Sequence, residues 1–224
     1  MTSFYSDYIK NGDLVFDIGA NHGNRTEVFL SLGAKVVAFE PQPGCANDLR
    51  GKFSKDPNFT LVQKALGESA GKGVMRLCQA DTISSMSDEW VDTVKKSGRF
   101  IDYRWEKALE VEVSTLDVEI EVHGRPTFVK IDVEGYESKV LSGLSTPVKV
   151  ISFEFIPEDV QSATICVEHL SRLGDYRFNF SLGESMRFEL PNDVDSEKLL
   201  ATIKERSLKG SKDFGDIYAF LDVA

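Results

Sequence analysis

The chain has 224 residues, 42% of them hydrophobic and 10% aromatic, which is the composition of a folded globular domain rather than a disordered chain. Its 36 acidic residues exceed its 26 basic ones, giving a formal charge of −10. This argues against a broad nucleic-acid footprint, which needs clustered lysine and arginine. The three cysteines are far apart and have no CxxC spacing, so neither a disulfide framework nor a zinc site is expected.

The N-terminal residues, MTSFYSDYIKNGD, lack the basic segment and apolar core of a secretory signal. No apolar stretch approaches the roughly 20 residues that a membrane-spanning helix needs. We therefore expect a single cytoplasmic domain over residues 1–224, without a membrane or nucleic-acid partner.

Short apolar runs alternate with amphipathic segments, a pattern typical of a largely parallel sheet covered by helices. The predicted strands are Leu14–Ile18, Lys35–Glu40, Phe59–Lys64, Thr127–Ile131, Val148–Glu154, Tyr176–Phe180 and Ile217–Leu221. The first predicted helix begins at about Arg25. The other main helices are predicted at Cys45–Ser54, Glu137–Leu141, Glu158–Leu173 and Ser196–Arg206.

Residues 68–110 interrupt this alternation. A short strand is expected at Val74–Leu77 and a helix near Glu89–Lys96 within them. So long an insertion is commonly functional, and one interpretation is a lid or an acceptor site. The alternative is a surface elaboration without a part in the chemistry.

The first strand leads into a loop with Gly19 and Gly23 and then into a helix, which is the outline of a nucleotide-binding βαβ unit. Asn24, with Glu27 three residues later, is predicted to cap that helix. The spacing of the two glycines differs from the GxGxxG of dinucleotide-binding dehydrogenases. Asp17, just before the loop, would repel a pyrophosphate and attract a cation.

Glu40 ends the second strand, 21 residues after Gly19, where an acid can accept hydrogen bonds from both hydroxyls of a ribose. A nucleoside with a cationic tail and no phosphate meets both demands, and S-adenosylmethionine is such a ligand. We expect its ribose on Glu40, its methionyl part along Gly19 and Asn21, and its positive charge near Asp17. The structural alternative is that Asp17 only holds the glycine turn and that Glu40 is an exposed strand end.

Several segments of the chain resemble the FkbM-type methyltransferases, S-adenosylmethionine-dependent enzymes that mostly methylate hydroxyl oxygens. In the order of that family they are VFDIGANHGNRT, VAFEPQP, VQKALGE (Val62–Glu68), VSTLD (Val113–Asp117), FVKIDVEGYESKVLSG (Phe128–Gly143) and ISFEF (Ile151–Phe155). They cover most of residues 12–156, and KIDVEGYE is the most specific of them. Residues 78–108 show no usable similarity, and the C-terminal part is similar only in outline.

The resemblance implies an α/β, Rossmann-like class I methyltransferase fold. Its sheet would have seven mostly parallel strands in the order 3-2-1-4-5-7-6, with strand 7 antiparallel and helices on both faces. The implied cofactor-binding residues at the strand ends are Asp17, Gly19, Asn21, Glu40, Pro41 and Asp132. The adenine is expected near Ala65 and Leu66, with Asp81, Ser84 and Ser85 closing that side.

Methyl transfer is an in-line displacement at a sulfonium methyl, and a hydroxyl acceptor needs a base or a metal to become a good nucleophile. Asp132, at the end of the fourth strand, is the first candidate for the catalytic base, and His22 in the glycine loop is another. Glu134 and Glu154 are expected to bring two more carboxylates to the same rim. Such a cluster could raise the pKa of one member or bind Mg²⁺, whereas the structural alternative for Glu134 is a cap on the helix near Tyr136.

In the insertion, Arg104 and Trp105 could hold an acidic or sugar-like acceptor by charge and stacking, unless Trp105 serves packing. The leading hypothesis is O-methylation of a small hydroxylated molecule such as a sugar or a secondary metabolite. A non-catalytic module that keeps the cofactor pocket is one alternative. An NAD-dependent oxidoreductase is another, against which the absent GxGxxG counts. The acceptor, methylation at nitrogen instead of oxygen, and the oligomeric state stay open.

Overall fold

Ten strands follow one another along the chain in the computed structural model, which describes residues 1–222. They are β1 (Leu14–Ile18), β2 (Lys35–Phe39), β3 (Phe59–Val62), β4 (Ala65–Leu66), β5 (Gly71–Leu77), β6 (Lys107–Ser114), β7 (Phe128–Ile131), β8 (Val150–Phe155), β9 (Tyr176–Leu182) and β10 (Gly215–Leu221). All seven strands predicted for the main sheet are present, each within a few residues of its expected bounds.

Seven of the strands form one sheet in the order β3-β2-β1-β7-β8-β10-β9. β10 runs antiparallel to both of its neighbours, β8 and β9, while the other pairs are parallel. Counted along the chain within this sheet, the order is 3-2-1-4-5-7-6. The α/β class and the antiparallel last strand are therefore confirmed. The strand numbers differ from the expected ones because β4, β5 and β6 form a separate small sheet.

Eight α-helices lie within the described residues. They are α1 (Thr2–Tyr5), α2 (Asn24–Ser31), α3 (Pro43–Phe53), α4 (Asp88–Ser97), α5 (Leu116–His123), α6 (Glu137–Ser142), α7 (Val160–Leu173) and α8 (Ser196–Leu208). The sequence did not predict α1 or α5. Thr115 caps α5 by accepting a hydrogen bond from the Val118 amide, and His123 is the last residue of this helix. No helix in residues 1–222 is long and apolar enough to cross a bilayer.

The two faces of the large sheet pack into two different cores because side chains alternate along each strand. Phe16, Ile131 and Phe153 belong to the larger core, which α6, α7 and α8 help to build. Val15 and Phe128 belong to the second core, where they meet side chains of α1 and α2. Every second residue of β1 and β7 therefore shares a face with Val15 or Phe128.

The insertion folds as an ordered unit rather than as an open loop. β5 and β6 pair in antiparallel fashion over seven residue pairs, and β4 pairs with β6 in parallel. α4 buries Trp90 in a cluster with Cys78 and Ile83. β6 was missed by the sequence analysis, although the alternation of Leu109, Val111 and Val113 with charged residues has the period of a half-buried strand.

Candidate active site

A cavity of about 290 Å³ opens at the carboxyl ends of β1, β2, β7 and β8, which is where ligands bind in open α/β sheets. Most of the residues singled out in the sequence line it, and the structure therefore brings them together. They are Asp17, Gly19, Asn21, His22, Glu40, Pro41, Ala65, Leu66, Asp81, Ser84, Asp132, Glu134 and Glu154. Ser85, Arg104 and Trp105 are not among the lining residues.

The glycine loop turns sharply between β1 and α2. Gly19 has φ +79°, and a β-carbon there would run into the backbone carbonyl of Asp132 at the end of β7. The absence of a side chain at Gly19 thus lets two strand ends approach each other. Gly23, with φ +87°, is the N-cap of α2, so the predicted capping box of Asn24 and Glu27 is wrong. A left-handed backbone conformation favours glycine, so Gly23 stands at the N-cap instead of a residue whose side chain accepts a hydrogen bond.

Glu40 follows β2 and is only 2% exposed. Its Oε2 accepts a hydrogen bond from the Asn21 amide at 2.9 Å, and its Oε1 accepts one from the Gln42 amide at 2.8 Å. Two backbone donors thus fix the carboxylate toward the cavity, while each oxygen keeps acceptor capacity for a ligand. Burial raises the pKa of Glu40 to about 6. The alternative of an exposed strand end for Glu40 is therefore wrong.

Asp17 is the last but one residue of β1 and is 1% exposed. Its Oδ2 accepts a hydrogen bond from the hydroxyl of Thr26 in α2. Burial raises the pKa of Asp17 to about 6, and the Thr26 hydrogen bond opposes that rise. The carboxylate therefore both ties the strand to the helix and lines the cavity.

His22 lies at the edge of the cavity between two acids. Its Nδ1 is 2.8 Å from Oδ2 of Asp48 in α3, and its Nε2 is 3.8 Å from Oδ2 of Asp81 in the insertion. These contacts link the glycine loop to α3 and to the insertion. They give His22 a bridging position, and its use as a base remains a prediction.

Residues of the insertion close the side of the cavity expected to hold the adenine. The Ser84 hydroxyl accepts a hydrogen bond from the Cys78 amide at 3.1 Å, and the Gln42 side chain donates to the Asp81 carbonyl at 3.2 Å. Ser85 is fully buried, and its hydroxyl donates to the carbonyl of Glu134 at 2.6 Å. Ser85 thus ties the insertion to the turn after β7 from behind the cavity wall.

Trp105 and Arg104 do not form the proposed acceptor clamp. The Trp105 indole donates to the Ile83 carbonyl at 2.7 Å and packs near Trp90 and Phe100. The Arg104 guanidinium donates to the carbonyl oxygens of two residues in its own loop. Trp105 therefore has the packing role that was the alternative interpretation.

Three carboxylates converge at the ends of β7 and β8, as expected. One oxygen from each of Asp132, Glu134 and Glu154 lies within 4.8 Å of the other two. Neither the Glu134 nor the Glu154 carboxylate has a hydrogen-bond or ion-pair partner among the hydrogen bonds and ion pairs of residues 1–222. Burial, and then the neighbouring negative charges, raise the pKa of both glutamates well above the ordinary value.

Glu137, and not Glu134, satisfies the backbone before α6. Its Oε1 accepts hydrogen bonds from the amides of Val133 and Gly135 at 3.0 and 3.2 Å. Glu134 has φ +54°, and it lines the cavity. The capping alternative for Glu134 is therefore wrong.

Lys130 was missed by the sequence analysis. It lies in the middle of β7, is fully buried, and its Nζ is 3.1 Å from Oδ2 of Asp132 and 2.8 Å from Oδ1 of Asp216 in β10. Burial by itself would lower the pKa of Lys130, but the charges of Asp132 and Asp216 outweigh it and raise the pKa well above its usual value. The signal was a charged residue within the apolar run Phe128–Ile131.

The raised pKa values of the buried carboxyl groups predict how the stability of the protein depends on pH. The pKa values of Asp17 and Glu40 are raised to about 6 and that of Glu137 to about 7, chiefly by burial. The folded protein thus binds these protons more tightly than the unfolded chain, so their contribution to stability is present at acid pH and is lost as pH rises through about 6 to 7. We expect the free energy of unfolding attributable to them to fall between about pH 4, where the carboxyls of the unfolded chain ionise, and about pH 7, where those of the folded protein have ionised. Urea denaturation at a series of pH values measures this fall.

Glu40→Gln is the control for this prediction. It removes one titrating group, so the fall in unfolding free energy between acid and neutral pH should shrink by roughly 2 kcal/mol. An identical pH dependence in the native protein and in Glu40→Gln would contradict the raised pKa of Glu40.

A family model described as methyltransferase FkbM domain matches residues 17–220 of the 224. Among curated proteins, the chain is 26% identical over 149 residues to the hexuronic acid methyltransferase AglP of Haloferax volcanii, covering 66% of this chain and 56% of that protein. It is 42% identical over 53 residues to ribosomal RNA small subunit methyltransferase A of Thermotoga neapolitana, covering 24% of this chain and 20% of that protein. The chain thus spans about half the length of the first relative and a fifth of the second.

Among solved structures, precorrin-6y C5,15-methyltransferase from Geobacter metallireducens aligns with 98% of this chain and 86% of its own, at a TM-score of 0.52. The sequence identity is 12%, so this likeness concerns the fold alone.

Proposed function

The chain belongs to the FkbM-domain methyltransferases, and we propose that it is an S-adenosylmethionine-dependent enzyme that methylates a hydroxyl oxygen of a small molecule such as a sugar or a secondary metabolite. The observation that carries the proposal is the Glu40 carboxylate, held by two backbone amides at the rim of the cavity beside the glycine loop. Nucleoside cofactors present two ribose hydroxyls to an acid in that position.

In the proposed complex the ribose hydroxyls donate to Glu40, and the methionyl part follows the loop from Gly19 to Asn21. The adenine lies against Ala65 and Leu66, next to Ser84. The sulfonium faces the strand ends that carry Asp17 and Asp132, whose negative charge favours a cation.

Asp132 is the proposed base. As the acceptor oxygen forms its bond to the methyl carbon, the bond from that carbon to sulfur breaks and S-adenosylhomocysteine leaves. The hydroxyl proton passes to the Asp132 carboxylate, which restores neutrality at the acceptor oxygen. Alignment of the acceptor oxygen with the methyl group accounts for most of the rate in such a displacement.

The insertion is proposed to form part of the acceptor and cofactor wall. Met75, Asp81, Thr82, Ser84 and Met86 all belong to it and line the cavity. A sugar-like acceptor is in keeping with the similarity to AglP, a hexuronic acid methyltransferase that this chain matches over 56% of that protein's length.

A small acceptor in the cytoplasm is favoured over a nucleic acid by the charge of −10, even though one relative is named as a ribosomal RNA methyltransferase. Mg²⁺ at the carboxylates has no support from the family or the relatives, and no proposed step uses it. An NAD-dependent oxidoreductase does not fit a buried acid in front of the glycine loop, since Asp17 would repel the pyrophosphate. A non-catalytic module that retains the cofactor is refuted by any turnover of the cofactor with an acceptor.

Calorimetric titration of the purified protein with S-adenosylmethionine, S-adenosylhomocysteine and NAD tests the cofactor assignment. We expect the first two ligands to bind and NAD not to bind. The substitution Glu40→Gln should weaken the binding of both S-adenosylmethionine and S-adenosylhomocysteine by roughly 1–3 kcal/mol, because the ribose hydroxyls lose a charged acceptor. The matched control is Glu27→Gln on the exposed surface of α2, which should bind like the native protein. Equal affinities in Glu40→Gln and Glu27→Gln would refute the ribose contact.

A further inference from the structure

Buried polar residues behind Asp132 lie on one face of the large sheet. We call this group the chamber, and it contains Lys130, Ser152, Ser181, Asp216 and Tyr218. Lys130 lies two residues after Phe128 in β7, so its side chain points to the same face of the sheet as Phe128, toward the core that α1 and α2 cover. In the sheet register Lys130 lies beside Ser152 of β8, Ser152 lies opposite Tyr218 of β10, and Asp216 lies opposite Ser181 of β9. Polar residues from four adjacent strands thus share this face of the sheet with Lys130.

This chamber contains orphaned polar atoms. The hydroxyls of Ser152 and Ser181 and the Nε of Arg25 are buried without a hydrogen-bond partner within the described part of the chain, and the hydroxyls of Tyr5 and Tyr218 have no partner there other than each other. Burial raises the pKa of Tyr5 to about 12, and the charge of Asp216 adds to that rise. Buried hydroxyls in such numbers are satisfied in proteins by ordered water.

Stability alone does not account for such a chamber. A buried ion pair contributes little to folding, and apolar side chains of similar volume are often equally or more stable in its place. Of the two carboxylates paired with Lys130, one lines the active-site cavity. It belongs to Asp132, whose side chain is 36% exposed, whereas Lys130 and Asp216 are 0% and 7% exposed and do not line the cavity. The buried Lys130 ammonium is therefore connected to the cavity wall through the Asp132 carboxylate.

We propose that Lys130 is a positioning residue for methyl transfer. Its ammonium group holds the Asp132 carboxylate in place and directs it at the cofactor methyl group, while Asp216 accepts a second hydrogen bond from the same ammonium. This inference rests on the proposed function. Lys130 does not touch the reacting atoms. Its ammonium group accounts for one Asp132 oxygen, Oδ2, and leaves Oδ1 free to face the acceptor hydroxyl.

The test uses S-adenosylmethionine labelled with ¹³C in the methyl group, bound to the full chain, and needs no acceptor. The position of the methyl resonance reports the group that faces the methyl. The Asp132→Asn variant gives the reference resonance of a methyl group that no carboxylate at residue 132 faces. The double variant Lys130→Met, Asp216→Asn removes both charges of the pair, so that neither is left uncompensated. Asp216→Asn alone is the matched control, because it changes the same chamber but keeps Lys130 beside Asp132.

We expect the double variant to bind the cofactor within about threefold of the native affinity and to give the Asp132→Asn resonance. Asp216→Asn should give the native resonance. A native resonance in the double variant would overturn the inference, as would coincident resonances in Asp132→Asn and the native protein. If the double variant does not fold, the methyl resonance of Lys130→Gln is compared with those of the native protein and Asp132→Asn in the same way, with the same expected result. Failure of the native protein to bind the cofactor in calorimetry would instead refute the proposed function on which the inference rests.

Discussion

Lys130→Met alone is expected to lower the free energy of unfolding by about 3–5 kcal/mol, the usual cost of breaking a buried ion pair on one side only. The substitution keeps the aliphatic volume of the side chain but leaves the Asp216 carboxylate, 7% exposed, without its 2.8 Å partner. Asp132 is less affected because its side chain is 36% exposed and can be solvated from the cavity. Urea denaturation followed by circular dichroism measures the change.

The double variant Lys130→Met, Asp216→Asn is the control for the single one. It removes the stranded charge together with its partner and should recover most of the lost stability. A single variant as stable as the native protein would mean that water in the chamber already solvates Asp216. That result would show that the ion pair between Lys130 and Asp216 does not contribute to the stability of the folded protein.

Gly19→Ala is expected to cost at least about 3 kcal/mol of unfolding free energy and to abolish cofactor binding. Two effects add: a φ of +79° costs an ordinary residue roughly 1–2 kcal/mol, and the new β-carbon collides with the Asp132 carbonyl. Relief of that collision must move the glycine loop away from β7, which displaces the two sides of the cavity relative to each other. Denaturation and calorimetry on the same protein measure both losses.

Gly12→Ala separates the two effects. Gly12 has φ +87°, but a β-carbon there meets no atom within 4 Å. It should lose only the roughly 1–2 kcal/mol of the backbone conformation and should bind the cofactor normally. Equal losses in Gly19→Ala and Gly12→Ala would show that the contact between the loop and Asp132 can relax without consequence.

The sequence was sufficient for the large sheet because its strands are nearly continuous apolar runs separated by amphipathic helices. It was insufficient for the insertion, where β6 alternates with exposed charges and pairs with a strand earlier in the chain. Capping patterns also misled at α2, where the left-handed Gly23 replaced the side-chain cap predicted at Asn24.

For the candidate site, the sequence predicted which residues would line one cavity wherever a position at a strand end was enough. Asp17, Glu40 and Asp132 each stand at such an end, and parallel strands bring their ends to one edge. Prediction failed for the groups that these acids contact. The Asp216 partner of Lys130 is 86 residues away in sequence, on a strand whose place in the sheet no local pattern reveals. Thr26 and Glu137 were likewise recognisable only from their contacts.

The position of β10 has a consequence for the order of folding. This strand comes after β9 in the chain but inserts between β8 and β9, and it brings Asp216 to Lys130. Until β10 inserts, the Lys130 ammonium has no buried counter-ion from that side, and water must remain around the middle of the sheet. Closing a contact across 86 residues is slow compared with forming local helices. We therefore expect the half of the sheet that carries the glycine loop to form early, and the charge arrangement behind Asp132 to be completed in the last step, when the final strand is inserted.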